Sequence, residues 1–130
     1  GHILLDRKLA HKNHYPAIDV LGSISRCMKD VVDDKHREAA NRFRELLAAY
    51  RDAEDLINLG AYARGSNPVV DKAIGMIDEM NAFLKQDIYE KDTFESILTR
   101  LQQLTGVEEK PKPKGERGIP APYFAPVRRR

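Results

Sequence analysis

The chain has 130 residues, a formal net charge of +2 at pH 7 and 32% charged side chains. That near-balance excludes a dedicated nucleic-acid binder, whose basic excess is larger and clustered. One cysteine, Cys27, leaves no internal disulfide and fits a reducing compartment. No apolar run approaches the roughly 18 residues of a membrane span.

Residues 2–5 are a short apolar run that reads as the last strand of a larger sheet. Gly1 stands where a methionine would, so the sequence reads as a piece of something longer. On that reading the strand edges are unpaired and residues 1–27 are poorly supported. Asp6 can cap a short helix through Asn13, with Arg7, Lys8 and Lys12 exposed.

The stretch from His14 to Arg26 organises the rest. Tyr15-Pro16 is a stiff aromatic dipeptide, because proline fixes its own φ and restricts the residue before it. Ala17 to Leu21 is a short apolar run interrupted by Asp19, which is read as making turn hydrogen bonds. Ser23-Ile24-Ser25-Arg26 reads as a polar turn ending in a guanidinium. A stacking aromatic face and a phosphate-binding arginine together suit a nucleotide. Taken singly, Tyr15 also reads as a packing tyrosine and Arg26 as a surface arginine. Cys27 reads as a buried, inert thiol.

Asp33 or Asp34 caps a first long helix to about Leu59. Its stripe is Ala39, Ala40, Phe43, Leu46, Leu47, Tyr50, Ala53, Leu56 and Ile57. Gly60 stops it. Asn67-Pro68 is a cap followed by proline in the first helical position. The second helix runs to about Gln86 with Val70, Ala73, Ile74, Ile77, Met80, Phe83 and Leu84 inward. Asp92-Thr93-Phe94-Glu95 has capping-box spacing with Asp92 as the cap. The third helix is expected to bury Phe94, Ile97, Leu98, Leu101 and Leu104 and to end at Gly106. Three amphipathic helices with short connections predict a small bundle.

From Val107 onward five of the seven prolines accumulate, with seven Lys or Arg against three Glu. An extended or disordered, solvated tail is expected there. The four histidines, His2, His11, His14 and His36, show no metal-ligand spacing, and no metal site is expected.

Two segments carry a resemblance. Tyr15-Pro16-Ala17-Ile18-Asp19, followed by Ser23-x-Ser25-Arg26, is one. Asn58-Leu59-Gly60-Ala61-Tyr62, with Gly65-Ser66 and Asp71-Lys72-Ala73-Ile74, is the other. Over roughly residues 1–106 the chain resembles the C-terminal part of the flagellar type III export ATPase. That enzyme is similar to the catalytic subunit of rotary ATP synthases and to virulence-type secretion ATPases. The second segment favours the flagellar branch; a virulence-type ATPase is the alternative.

The resemblance implies a mainly α fold. A small C-terminal helical bundle (28–106) would follow the strand-and-turn edge of a P-loop α/β domain (1–27), with a Pro-rich basic tail (107–130). The tail has no counterpart in the family; a lineage extension, a fused segment and an artificial addition all stay open. No G-x-x-x-x-G-K-S/T stretch is present to cradle phosphates. ATP and Mg²⁺ are therefore implied for a parent enzyme and none for these residues alone, which are not expected to hydrolyse ATP by themselves. Carried over by position, Tyr15 would stack on the adenine and Phe83 would be a second aromatic near the base. Ile88 falls where the rotary subunit has another aromatic, which weakens that wall. Arg26 would be a finger inserted into the neighbouring subunit's site. Tyr62, Arg64 and Gly65 fall in a loop that would face a coiled-coil stalk.

Implied partners are neighbouring subunits of a homohexamer, the stalk protein, export chaperones and their substrates, and an export-gate membrane protein. The implied location is cytoplasmic, peripheral to the export apparatus at the inner membrane. The competing reading makes the bundle a docking module with no nucleotide role of its own.

Overall fold

Seven elements follow one another: β1 (His2–Leu5), α1 (Arg7–His11), β2 (Ile18–Ile24), α2 (Met28–Val31), α3 (Asp34–Asn58), α4 (Pro68–Leu84) and α5 (Phe94–Thr105). They come from a computed structural model that describes residues 1–107; the rest of the expected tail lies outside the described residues. The mainly helical architecture expected from the periodicity is the one observed.

β1 and β2 pair antiparallel, with His2 opposite Ile24, Leu4 opposite Asp19 and Leu5 opposite Ile18. Between those pairs β2 carries surplus residues and bulges. The bulge is held by side chains. Leu4 N–H donates to Ser23 Oγ (3.0 Å), and that hydroxyl donates to the Asp19 carbonyl (2.6 Å). Asp19 Oδ1 accepts from Leu21 N–H at 3.2 Å. A Cβ at Gly22 would lie 2.7 Å from Asp19 Oδ2, so glycine is what lets the strand close on its own carboxylate. Ser23 and Ile24 therefore continue the strand, against the expectation of a turn, because the Ser23 hydroxyl replaces the missing ladder bond. Asp19 makes the local hydrogen bonds expected of it.

Each long helix begins on a side-chain cap. Asp33 accepts from His36 N–H at 2.7 Å and starts α3. Asn67 accepts from Val69 and Val70 N–H, with Pro68 in the first turn of α4. Thr93, not Asp92, caps α5 by accepting from Ser96 N–H at 3.2 Å. Asp92 is drawn one position outward by Arg100 (2.8 Å) and by its neighbour's N–H. Gly60 and Gly106 both take positive φ at helix ends, where the left-handed conformation frees an N–H to return to the last turn.

α3 packs against both α4 and α5. The core is Ala39, Phe43, Leu46 and Leu47 of α3, Ala73 and Met80 of α4, Leu101 of α5, and Val107. Val107, expected in the tail, is buried, and its N–H returns to the Gln102 carbonyl at 3.0 Å. Val20 and Leu21 of β2 pack on the same core, so the N-terminal segment is supported by the helices. Lys12 to Glu54 (2.9 Å) and Arg51 to Asp19 (3.0 Å) tie it further to α3.

Three apolar expectations fail. Phe94 is 64% exposed and Ile97 41%, because α5 turns its C-terminal half into the core and leaves its first turns over the edge of α3. There Phe94 lies against His36, with ring centroids 5.8 Å apart. Leu56, on the last turn of α3, is also half exposed. Cys27 is exposed rather than buried, in the turn before α2, with Ser25 Oγ at 3.7 Å from its sulfur.

Candidate functional site

Tyr15 sits just before β2 and shows more than half of its surface to solvent. Its position is fixed through the backbone: Gln86 N–H, just past the end of α4, donates to the Tyr15 carbonyl at 3.0 Å. This bond brings the loop after α4 alongside the aromatic. Tyr15, Lys85, Gln86, Ile88, Glu90 and Asn13 line one cleft of about 590 Å³, a size that accepts a drug-sized ligand.

The far wall of this cleft is built by its own side chains. Glu90 Oε2 accepts from Asp87 N–H (3.1 Å), Asp87 Oδ1 accepts from Tyr89 N–H (3.1 Å), and Gln86 Nε2 donates to the Glu90 carbonyl (3.1 Å). Ile88 is thereby held out into solvent, 92% exposed. Tyr15 and Ile88 are thus brought together, across 73 residues of sequence, as two apolar faces of one opening.

Phe83 is not among the residues lining that cleft. It packs on Phe43, with ring centroids 5.5 Å apart, and the Arg100 guanidinium lies over it at 5.6 Å. Its place is at the core, where the helical stripe puts it. Arg26 is at the opposite end of β2 from Tyr15, exposed in the bend before α2. Among the described residues Arg26 has no hydrogen bond or ion pair.

The loop between α3 and α4 is organised from α4. Tyr62 Oη donates to Asp71 Oδ1 at 2.8 Å, and Gly65 N–H donates to Asp71 Oδ2 at 2.9 Å. Ser66 Oγ closes the turn on the Ala63 carbonyl at 2.6 Å. Gly65 has φ +87°, which a side chain would strain. Arg64 stays exposed at the tip. One carboxylate, Asp71, therefore shapes the whole loop, and α4 links this loop at its start to the Tyr15 cleft at its end.

Sequence reasoning missed Asp71, Gln86 and Glu90 as organisers. Asp71 carried a signal, lying four residues past an Asn-Pro helix start, one turn from the loop. Gln86 acts through a main-chain N–H and carried none. Among the described residues, no three His, Cys, Asp or Glu side chains cluster as a metal ion would need. No described helix is long and apolar enough to cross a membrane.

A family model described as the T3SS EscN ATPase C-terminal domain matches residues 32–103, which hold α3, α4 and most of α5. The chain belongs to this family. Within the secretion-ATPase C-terminal domain so defined lie Tyr62, Arg64, Gly65, Phe83 and Ile88; Tyr15 and Arg26 precede it. The Type 3 secretion system ATPase of Pseudomonas syringae pv. syringae is 51% identical over 105 residues, 81% of this chain and 23% of that protein. The flagellum-specific ATP synthase of Bacillus subtilis is 50% identical over 109 residues, 84% of this chain and 25% of that protein. The two branches thus match almost equally.

The assembled ATPase EscN of the enteropathogenic E. coli type III secretion system superimposes with a TM-score of 0.78 at 38% identity, covering 81% of this chain and 26% of that one. EscN in complex with its central stalk EscO gives a TM-score of 0.77 at the same identity, covering 81% and 26%. The chain spans about a quarter of the length of the curated relatives it matches. The family resemblance read from the two sequence segments is therefore the one the comparisons return.

Proposed function

We propose that this chain works as the C-terminal region of a ring-forming ATPase that energises type III protein export, in the flagellar branch. Residues 1–27 would complete the edge of the nucleotide domain and residues 28–106 would form the helical domain. The observation that carries this reading is Tyr15, half exposed and tied by its backbone to Gln86, facing Ile88 across one cleft. An aromatic face opposite an aliphatic side chain suits a flat base, with Gln86 and Asn13 at the rim as hydrogen-bonding groups. Phe83 supports this from behind, by fixing the end of α4 on the core.

Arg26 and Tyr15 point the function across a subunit boundary. They lie at opposite ends of β2, so one nucleotide in the Tyr15 cleft is not served by the same chain's Arg26. An exposed guanidinium without a partner among the described residues is free to reach a neighbour's phosphates. Phosphoryl transfer is accelerated by positioning and by neutralising charge on the transferring group, and a finger of this kind contributes about 10³–10⁵ in rate. ATP and Mg²⁺ would be held by the remainder of the enzyme; these residues supply a base platform in cis and an arginine in trans. That division of labour needs a neighbouring subunit, and the family resemblance implies a hexamer.

A second role has its own observation. The Tyr62–Gly65 loop is pre-ordered by Asp71 and presents Arg64, which suits capture of an acidic or coiled-coil partner such as a central stalk. EscN is a neighbour in fold that is found with its stalk EscO. Export chaperones, their substrates and a membrane-embedded gate would be further partners, met at the cytoplasmic face of the inner membrane.

The test is ATP turnover by the full ring-forming enzyme carrying Arg26→Ala, with nucleotide affinity measured in parallel. A fall of roughly 10³-fold with near-normal binding is expected. A fall of only a few-fold would remove the finger and leave this region as a docking scaffold.

A further inference from the structure

A second, smaller opening lies between the α1–β2 connection and the facing sides of α3 and α4. It has a volume of about 210 Å³, and His14, Lys12, Tyr50, Arg51, Asn81 and Lys85 are among the residues lining it. His14 is 93% buried by the complement of its 7% exposure. Its ring makes no hydrogen bond among the described residues. Yet none of their fully enclosed side-chain nitrogens or oxygens lacks a partner. The ring nitrogens are therefore not fully enclosed, and His14 lines the cleft.

The charges around it are uneven. Lys12 is neutralised by Glu54 at 2.9 Å and Arg51 by Asp19 at 3.0 Å. Lys85 has no carboxylate at ion-pair distance among the described residues. Burial first, then the Lys85 charge, holds His14 below its ordinary value of 6.5, so the ring is neutral near neutral pH and offers one N–H donor and one lone pair. Asn81 and Tyr50 add neutral donors. An exposed cation without an ion-pair partner among the described residues, beside a buried ring that can both donate and accept, matches an anion that carries its own proton.

We propose that this cleft binds a small protonated oxyanion of the inorganic phosphate class, held by the Lys85 ammonium and the His14 ring. One phosphate oxygen would accept from the Lys85 ammonium, and the phosphate O–H would donate to the imidazole lone pair. Lys85 also lines the Tyr15 cleft, so the phosphate of a nucleotide seated there is the other source of the same chemistry.

The experiment is a titration of the 130-residue chain with inorganic phosphate at constant ionic strength, reading the His14 ring resonances by NMR. Chloride and AMP are run as separate arms. A saturable shift with phosphate is expected, absent with chloride. Lys85→Gln, at an exposed position, is expected to weaken it at least about tenfold, the scale of one lost charge-assisted hydrogen bond. Lys29→Gln, remote from the cleft, is expected to leave it within about twofold. Ring resonances that stay still, that move equally with chloride, or that ignore Lys85→Gln would overturn the proposal. A shift with AMP and none with free phosphate would overturn it too, and would assign the anion to a nucleotide.

Discussion

Asp19 shows how much one side chain can decide. Burial pushes its carboxyl up, but the Arg51 guanidinium and the N–H groups of Gly22 and Leu21 outweigh that and hold it below the ordinary 3.8. The bulge therefore closes on a charged group, and Gly22 must stay small beside it. Gly22→Ala is expected to destabilise the chain by about 1–3 kcal/mol, because the added Cβ displaces a carboxylate whose donors are then left unpaired. Urea denaturation of the two proteins measures this, and an unchanged midpoint would show that the bulge absorbs the methyl group.

His14 acts in a different pH window. Its folded pKa lies below 6.5, so above that value both folded and unfolded chains hold it neutral and it costs nothing. As pH falls below 6.5 the unfolded chain takes up a proton that the folded one resists, and stability drops until the folded pKa is passed. The melting temperature is expected to decline as the pH falls below about 6.5, and His14→Gln to flatten that slope. Asp19 does not contribute to this slope, since its loss belongs to the range below 3.8.

At the scale of elements, the helices are fixed at their ends by the residues that spacing alone identifies. Asn67 accepts two N–H groups and Pro68 follows it, so Asn67→Ala is expected to cost about 1 kcal/mol, read as a shift in thermal midpoint. The caps at Asp33 and Asn67, the stops at Gly60 and Gly106, and the stripe of α3 were legible because they depend on neighbours in sequence. The cap of α5 was not. Asp92 and Thr93 are equally good caps locally, and the choice falls to Thr93 because Arg100, two turns later, claims the Asp92 carboxylate. Phe94 and Ile97 were misplaced for a related reason. Periodicity defines the apolar face of α5 but not how far along its axis α3 extends to cover it.

At the scale of the whole molecule, the N-terminal segment and the bundle share a core through Val20 and Leu21. Leu21→Ala is expected to lower the stability of both parts together, by about 2–4 kcal/mol at most given its partial burial. Far-UV circular dichroism and tyrosine fluorescence should then shift their midpoints in step; separate shifts would show two independent units. The helical bundle could be read from period and punctuation, whereas the pairing of β1 with a bulged β2 could not, since it turns on a serine hydroxyl filling a ladder position. The Tyr15–Ile88 cleft was half legible. Its two faces were named by the family resemblance alone, and the main-chain bond from Gln86 that joins them leaves no mark on side-chain identity.

α4 starts at the loop that Asp71 shapes and ends beside the Tyr15 cleft. Seventeen residues of helix form a rod of roughly 25 Å. A load that tilts such a rod by about 5° at one end carries the other end about 2 Å, more than the tolerance of a stacked base. The Asp71 end is therefore a handle and the Lys85 end a pointer. Torque applied to the loop would be felt at the Tyr15 cleft as a change of shape, without any side chain in between having to change its rotamer.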